Sequence, residues 1–488
     1  MPADKRLDWS VAVGATVLCS LVVAAAVLLF LRHACGVIPF PYELAAGEEL
    51  LLRDAVHILS GRPVYADAND FPFIVSNYPP LFALLSSLLL PRLGVSLTAS
   101  RVVASLSTLL CAALVGAIVF QGCRSKVAAA ICGGTFLGSM FVYQWGAWGR
   151  VDSTAILFSL LAILVAQRWE NWRGITLATL VCLLSLFTKQ TQWAAPLAIF
   201  VWLLSRRHGR LARGFALLLG GVGGLIFLVL NALTSGQILR HLVLYTTLPY
   251  LPSAFLGYWR AFAVTHGVLA GIAVVYVVTS LARRRLSLPV VYFAAVAGLT
   301  VAVGRAGASS NYFLELIAAS LILCGLLWGE LSKRRGYSSA VVPVALVVQL
   351  LWFWAFPHSP LRAYYYDPLP SFGYTPQMAD VQSCERVDVY VAEAGGEILT
   401  EGGGFALKNG KELYCSPWLL SALEPTGLVD EGLLRLEEAL GQRRFSLVIL
   451  TWQSYPTRIL DAVWANYERV DTVDCVLRYE IFVPRESA

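Results

Sequence analysis

Long apolar runs broken by short polar turns fill most of the first 356 residues. Crossing roughly 30 Å of hydrocarbon takes about 20 apolar residues in a helix. Nine runs approach that length: 11–32, 99–120, 127–144, 151–167, 214–232, 261–281, 288–304, 311–329 and 338–356. Two shorter runs, 175–187 and 193–204, rise only about 18–20 Å each. The turn between them, Thr188-Lys189-Gln190-Thr191-Gln192, must then lie below the outer surface or be reached through thinned bilayer; on the plainer reading the apolar limits are drawn too tightly and Lys189 snorkels to the headgroups. Polar backbone at that depth has to be buried in protein or line a wet cavity. Counting this hairpin as two spans, the pattern predicts eleven transmembrane helices. The first run stays apolar to its end without a small-residue cleavage site, so it reads as an anchored span.

Two stretches break the pattern. Between the first two spans, residues 33–98 form a long loop with its own periodicity. Leu44, Leu51, Leu52, Ala55, Val56 and Leu59 make an apolar stripe that predicts a helix over 44–59, stopped by Gly61 and Pro63. Tyr78-Pro79-Pro80 then opens a second helical run, LFALLSSLLL, with proline in the first turn where a missing N–H costs least. It is too short to cross, and both helices are expected to lie in the membrane interface. From 357 to 488 the periodicity alternates: a strand at 387–391, a helix at 428–440, a strand at 445–450, an amphipathic helix at 459–470 and a strand at 475–483. A small α/β domain is predicted. The Gly402-Gly403-Gly404 run reads as a turn, since no Lys-Ser/Thr follows it as in a phosphate loop.

Composition changes the picture by exclusion. Only 14% of residues are charged and mean hydropathy is +0.66, against about 25% charged in a soluble domain. The basic residues then set the orientation. One set of loops holds Lys5, Arg6, Arg124, Lys126, Arg168, Arg173, Arg206, Arg207, Arg210, Arg213, Arg283, Arg284, Arg285, Lys333, Arg334 and Arg335, sixteen in about 47 residues. The alternate loops hold eight in about 112 residues. The first set is expected in the cytoplasm, which places the N-terminus inside and the loop 33–98 and the C-terminal domain outside. The formal charge of +6 thus belongs to short loops, and no nucleic-acid partner is expected. Most of the ten cysteines fall in spans as small apolar residues. Cys384, Cys415 and Cys475 lie outside, where one disulfide among three possible pairs is open.

Polar groups gather at the outer ends of the spans. The first loop has Glu43, Glu48, Glu49 and Asp54; the turn after the third span has Trp145, Trp148, Arg150 and Asp152. The short hairpin has Lys189 and Gln190, and the turn after the ninth span has Arg305, Asn311, Tyr312 and Glu315. Ionisable groups at such depths are costly and point to function. A carboxylate could act as general base; Lys189, Arg150 and Arg305 could bind a phosphate. Trp145, Trp148 and Tyr78 could stack on a sugar or line a lipid tail. Plainer readings exist for each. The tryptophans could belong to the interfacial aromatic belt. Arg150 could pair with Asp152, Arg53 and Asp54 could be a solvated helix face, and Glu315 could be paired structurally. No cluster with metal-ligand spacing is present, so no metal and no other cofactor is expected.

These runs resemble, in order, the membrane glycosyltransferases of GT-C type, in particular the protein O-mannosyltransferase and aminoarabinose transferase group. The resemblance rests on Gly47-Glu48-Glu49, Asp54-Ala55, Ser60-Gly61-Arg62-Pro63-Val64-Tyr65, Tyr78-Pro79-Pro80-Leu81 and Arg101. It continues with Gly149-Arg150-Val151-Asp152, Phe187-Thr188-Lys189-Gln190-Thr191 and the stretch from Gly307 to Glu315. It covers about 40–330. The family's Asp-Glu pair is replaced here by Gly47-Glu48-Glu49. Spacing to Gly61 makes Glu48 the expected base, with Glu49 next and Glu43 third. The resemblance implies an inverting transferase that moves a sugar from a polyprenyl-phosphate donor to a glycan, lipid or protein acceptor at the outer face of a bacterial cytoplasmic membrane. Lys189, Arg150 and Arg305 would hold the donor phosphate; Asp152, Gln190, Tyr78, Asn311, Tyr312 and Glu315 would contact substrate. A transporter or flippase of a lipid-linked or polar substrate, and a ligase or polymerase using a diphosphate carrier, are the alternatives.

Overall fold

The computed structural model describes residues 3–333, 337–356 and 375–486. Arg334, Arg335 and the first part of the predicted outer domain, 357–374, lie outside the described residues. All eleven apolar runs are helical. Six helices are long and apolar enough to cross a membrane: Ser10–Val37, Thr98–Cys123, Gly209–Leu233, Pro252–Ala282, Ser310–Ser332 and Tyr337–Ala355. The hairpin helices are Trp172–Thr188 and Ala194–Ser205.

Burial differs sharply among these helices. Helix Leu314–Ser332 is central, with nearly every residue from Leu314 to Gly329 buried. Helix Gly209–Leu233 instead exposes Leu217, Leu225 and Leu228 at 76%, 63% and 65%. Leucines this open would be unfavourable in water and are at home against lipid tails, so this is a multi-pass membrane protein. Small residues let the bundle close. A Cβ on Gly133 of helix Lys126–Gly138 would stand 2.5 Å from the Ala112 carbonyl oxygen of helix Thr98–Cys123. At one end of the bundle the basic loops meet acidic partners. Glu170 faces Arg206 at 3.7 Å and His208 at 3.6 Å, and Arg283 pairs with Glu330 at 2.7 Å.

The opposite end carries the first loop and the C-terminal domain. In that domain β1 (Ile398–Thr400), β2 (Leu447–Leu450), β3 (Tyr467–Asp474) and β4 (Arg478–Pro484) form one sheet of order β1-β2-β4-β3. β1 and β2 are parallel, and the other pairs are antiparallel. Two sequence expectations are corrected. The β-branched run 387–391 lies in helix Met378–Glu393, because Gln377 and Asp380 form a capping box and Cys384, Val387 and Val391 bury one helical face. The amphipathic run 459–470 ends as a helix at Asn466, and Tyr467 begins β3, whose ladder with β4 starts at Tyr467–Pro484. Of the three cysteine pairs the structure selects Cys384–Cys475, joining that helix to the β3–β4 turn, and leaves Cys415 buried beside Tyr455. Non-reducing peptide mapping is expected to recover Cys384 linked to Cys475; a link to Cys415 would overturn that pairing.

The first loop does not lie on the bilayer as expected. Its helix, Glu48–Leu59, buries eight of twelve residues between bundle and C-terminal domain. The acidic and basic residues on it find protein partners there, which lipid headgroups would not supply in fixed geometry. Arg53 bonds Asp54 at 3.1 Å and the Val64 carbonyl at 3.0 Å, and Ser76 donates to Asp54 at 2.8 Å. The second helix is short, Leu81–Ser87, and a separate turn follows at Leu90–Leu93. Further on, Phe73 donates its N–H to Tyr414 at 3.0 Å, and Arg435 pairs with Asp70 at 2.6 Å. Glu412 of the C-terminal domain closes the seam onto His57 (3.4 Å) and Arg62 (2.8 Å). The His57 hydrogen bond and the Arg62 charge, working against burial, hold the Glu412 carboxyl down to about 2. A lowered carboxyl contributes stability that is lost as pH falls from its ordinary range toward that value. The thermal midpoint is therefore expected to drop on acidification below about pH 4.5 more steeply in the native protein than in Glu412→Gln. Equal slopes would show the seam to be thermodynamically silent.

Candidate active site

Glu48, the expected base, is the most firmly held carboxylate of the loop. Gly47 takes a left-handed φ of 88° and helix Glu48–Leu59 begins beside it. The Glu48 side chain turns back and is fully buried. One oxygen accepts from Leu44 N–H at 2.9 Å and Ala45 N–H at 3.3 Å, the other from Gly149 N–H at 2.7 Å. Arg101, also fully buried, grips both oxygens at 2.9 and 2.7 Å. Its remaining donors go to the carbonyls of Val37, Phe40 and Tyr42 at 3.0, 2.5 and 2.7 Å. Burial pushes the Glu48 carboxyl up, but the Arg101 guanidinium and the backbone donors outweigh it and hold it below the usual range. Every lone pair is occupied and no face is open to a substrate hydroxyl. Glu48 thus joins first loop, second span and the 146–151 turn. Gly149 is part of the joint, since a Cβ there would meet Ser100 Oγ at 2.9 Å and Glu48 at 3.3 Å.

Glu49 and Glu43 lie beside this joint in a different state. Both are buried. Burial is the main cause that raises the Glu49 carboxyl to about 7, against the pull of backbone N–H groups and Arg150. Burial, then the Glu49 charge, pushes Glu43 well above the carboxylate range. Gly47 N–H donates to Glu49 at 2.9 Å, and Gly404 N–H donates to Glu43. The triple glycine is therefore more than a turn. It opens the short helix Gly403–Lys408, which lies over both carboxyls. Added Cβ atoms would stand 2.7 Å from Glu49 Cγ at Gly403 and 2.8 Å from Glu43 Oε1 at Gly404. Sequence reading missed this roof; its signal was three adjacent glycines in a domain otherwise ordinary in composition.

The later turns bring Arg150 next to these acids and Lys189 next to Asp152. Arg150 lies across the start of the first-loop helix. It donates to the Ala46 carbonyl at 2.6 Å and the Tyr78 hydroxyl at 2.9 Å, with its charge 5.6 Å from the Tyr78 ring. Its Nη1 occupies the space a side chain at Gly47 would need, 2.2 Å from the Cβ position. Arg150 does not pair with Asp152. Lys189 does, at 2.6 Å, and its ammonium sits 4.4 Å from the Tyr312 ring. Asn311 donates to the same Asp152 oxygen at 2.8 Å. Lys189 is buried rather than snorkelling to headgroups, as a polar turn at this depth requires. Asp152 Oδ2 and Arg150 Nε are buried without a hydrogen-bond partner among the described residues. Such unpaired groups are rare in folded proteins and suit a polar ligand.

Other expected contributors are placed elsewhere. Trp145 and Trp148 are buried, 5.0 Å apart, and Trp145 donates to Ser310 at 2.8 Å, so neither belongs to an interfacial belt. Asp54 is consumed by Arg53 and Ser76. Gln190 donates to the Asn77 carbonyl at 2.9 Å. Glu315 faces inward, to Tyr292 and Gln192. Arg305 makes no contact with the cluster among the described residues; its backbone bridges Tyr250, and Trp418 packs on nearby Gly307.

This architecture is the fold of the GT-C-type membrane glycosyltransferases. ArnT, an aminoarabinose transferase from Cupriavidus metallidurans, matches with a TM-score of 0.61 at 13% identity, over 96% of this chain and 98% of that one. The same protein bound to undecaprenyl phosphate gives 0.61 over 95% and 97%. The archaeal oligosaccharyltransferase AglB from Archaeoglobus fulgidus, in complex with an inhibitory peptide and a dolichol-phosphate, gives 0.50 at 12% identity over 92% and 72%. No family model and no curated protein matches the sequence.

Proposed function

We propose that this protein is an inverting glycosyltransferase that moves a sugar from a polyprenyl-phosphate carrier to an acceptor hydroxyl outside the cytoplasmic membrane. Eleven spans, with the N-terminus inside and the α/β domain outside, complete this reading. The observation that carries it is a continuous polar row: Glu49, a buried carboxyl raised to about 7, accepts from Gly47, over which Arg150 lies, and Arg150 reaches Tyr78 on the side of the Lys189–Asp152 pair. The fold it shares with a protein crystallised with undecaprenyl phosphate adds support.

Glu49 would accept the proton of the acceptor hydroxyl. The freed oxygen forms a bond to the anomeric carbon as the bond from that carbon to the phosphate oxygen breaks on the opposite face. The electron pair leaves with the phosphate, which gains negative charge. Arg150 and Lys189 neutralise it where it develops. The phosphate is a weak base, so no general acid is needed. Glu48 and Arg101 hold the loop that presents Glu49, and Gly403 and Gly404 cover it. Arg305 keeps a place in this reading only as a cation at the rim.

The test is transfer from radiolabelled polyprenyl-phosphate sugars in membranes containing the protein. Label passing to an acceptor fraction from a monophosphate donor is expected. Use of a diphosphate donor alone would make the protein a ligase or polymerase. Uptake into vesicles without transfer would make it a transporter.

A further inference from the structure

Glu315 is an ionisable group inside the bundle that the proposed chemistry does not use. A buried carboxylate is expensive unless its partners are complete. Gln192 Nε2 donates to one oxygen at 2.5 Å and the Tyr292 hydroxyl to the other at 2.7 Å, with the Ser159 hydroxyl beside them as a further donor. Tyr292 lies on helix Leu288–Leu299 and is fully buried. Gln192 closes the hairpin turn, since its backbone N–H donates to the Lys189 carbonyl at 3.0 Å. The next residue, Trp193, is 50% exposed. The turn that carries Lys189 is thus open on one side and tied inward by Gln192 on the other. Glu315 also stands four residues after Asn311 and three after Tyr312. One helical turn therefore fixes both ends of the Lys189 environment. Its carboxylate holds the turn through Gln192. Its preceding residues supply the amide on Asp152 and the ring under the ammonium.

We infer that Glu315, Gln192 and Tyr292 form a strut that positions Lys189 for an anionic phosphate ligand. None of the three touches the ligand; each is a positioning residue. The inference rests on the proposed role of Lys189. Without the strut the turn loses its inward anchor, and the ammonium can relax along Asp152 or swing out with Trp193. The carboxylate also lies within electrostatic reach of Lys189, so a neutral replacement removes a bond and a charge together. Tyr292→Phe removes one hydroxyl and leaves the charge.

The test measures undecaprenyl phosphate binding by the full-length protein in nanodiscs, for Gln192→Ala, Tyr292→Phe and Glu315→Gln. Each is made in the native background and in Lys189→Met, with thermal midpoints taken for all. In the native background each change should weaken binding by about tenfold, the order of one lost buried hydrogen bond. In Lys189→Met the same changes should do nothing further to binding. A merely structural role would lower the thermal midpoint alike in both backgrounds and leave affinity unchanged. Equal losses of affinity in both backgrounds overturn the inference, as does no loss when Lys189→Met itself weakens binding. If the native protein fails to bind the lipid phosphate, or Lys189→Met leaves binding intact, the phosphate role of Lys189 fails instead. The thermal cycle then decides: non-additive shifts between Gln192→Ala and Lys189→Met sustain the strut, and additive shifts overturn it.

Discussion

Arg101→Ala is expected to destabilise the protein by about 3–5 kcal/mol, the cost of removing one partner from a buried ion pair. The geometry puts it at the upper end. The variant leaves the fully buried Glu48 carboxylate without its cation and strips donors from three carbonyls, those of Val37, Phe40 and Tyr42. Those carbonyls belong to the segment that turns the chain from the first span into the outer loop. Its loosening should therefore release the first-loop helix and the C-terminal domain that rests on it. Arg101→Lys should rescue little, because an ammonium has three donors and no planar fork. The measurement is thermal unfolding in detergent, with limited proteolysis to locate the released region. A native-like midpoint for Arg101→Ala would remove the joint from the account of this site.

Glu49→Gln is expected to reduce transfer by about 10²–10⁴-fold, the usual contribution of general base catalysis, without loss of fold. The sign for stability is opposite to that at Arg101. A carboxyl whose native value is raised to about 7 binds a proton that the unfolded chain has already released. Native stability then falls as pH rises from the ordinary carboxylate range through about 7, and the glutamine variant loses that slope. Above that range Glu49→Gln should melt no lower than the native protein. Activity of the native protein should rise as pH passes through about 7, as a base becomes available. Glu48→Gln offers the contrast: it weakens the Arg101 clamp and should lower the thermal midpoint. Full transfer by Glu49→Gln, or a pH profile flat through neutrality, would return the base assignment to Glu43 or remove it from this loop.

The two carboxylates show where sequence reading reached and where it stopped. Counting back from Gly61 pointed to Glu48 because only spacing was visible. Spacing could not report that Gly47 adopts a left-handed φ, that Arg150 fills the volume above it, or that Arg101 returns from the second span to take both Glu48 oxygens. Burial and partner count separate a structural acid from a reactive one, and both depend on chain segments far apart. Glu48 meets Arg101 across 53 residues, and Glu43 meets Gly404 across 361. The strand expected at 387–391 failed for a related reason. Local β-branching was outweighed by a cap and a buried helical face that only the assembled domain supplies.

By itself the sequence determined the helical apolar runs and the mixed helix and strand character of the C-terminal stretch. These follow from local quantities: the length of an apolar run and the period of its residues. The tertiary structure decided which cysteines pair, that the first-loop helix is sandwiched in protein, and which polar residues converge. It gathered Lys189, Asn311 and Tyr312 around Asp152, laid Arg150 over Gly47, closed Glu48 with Arg101 and Glu315 with Tyr292 and Gln192, and left Arg305 apart from them among the described residues. Those outcomes depend on which distant segments exclude water from one another, and burial of that kind is a property of the packed chain alone.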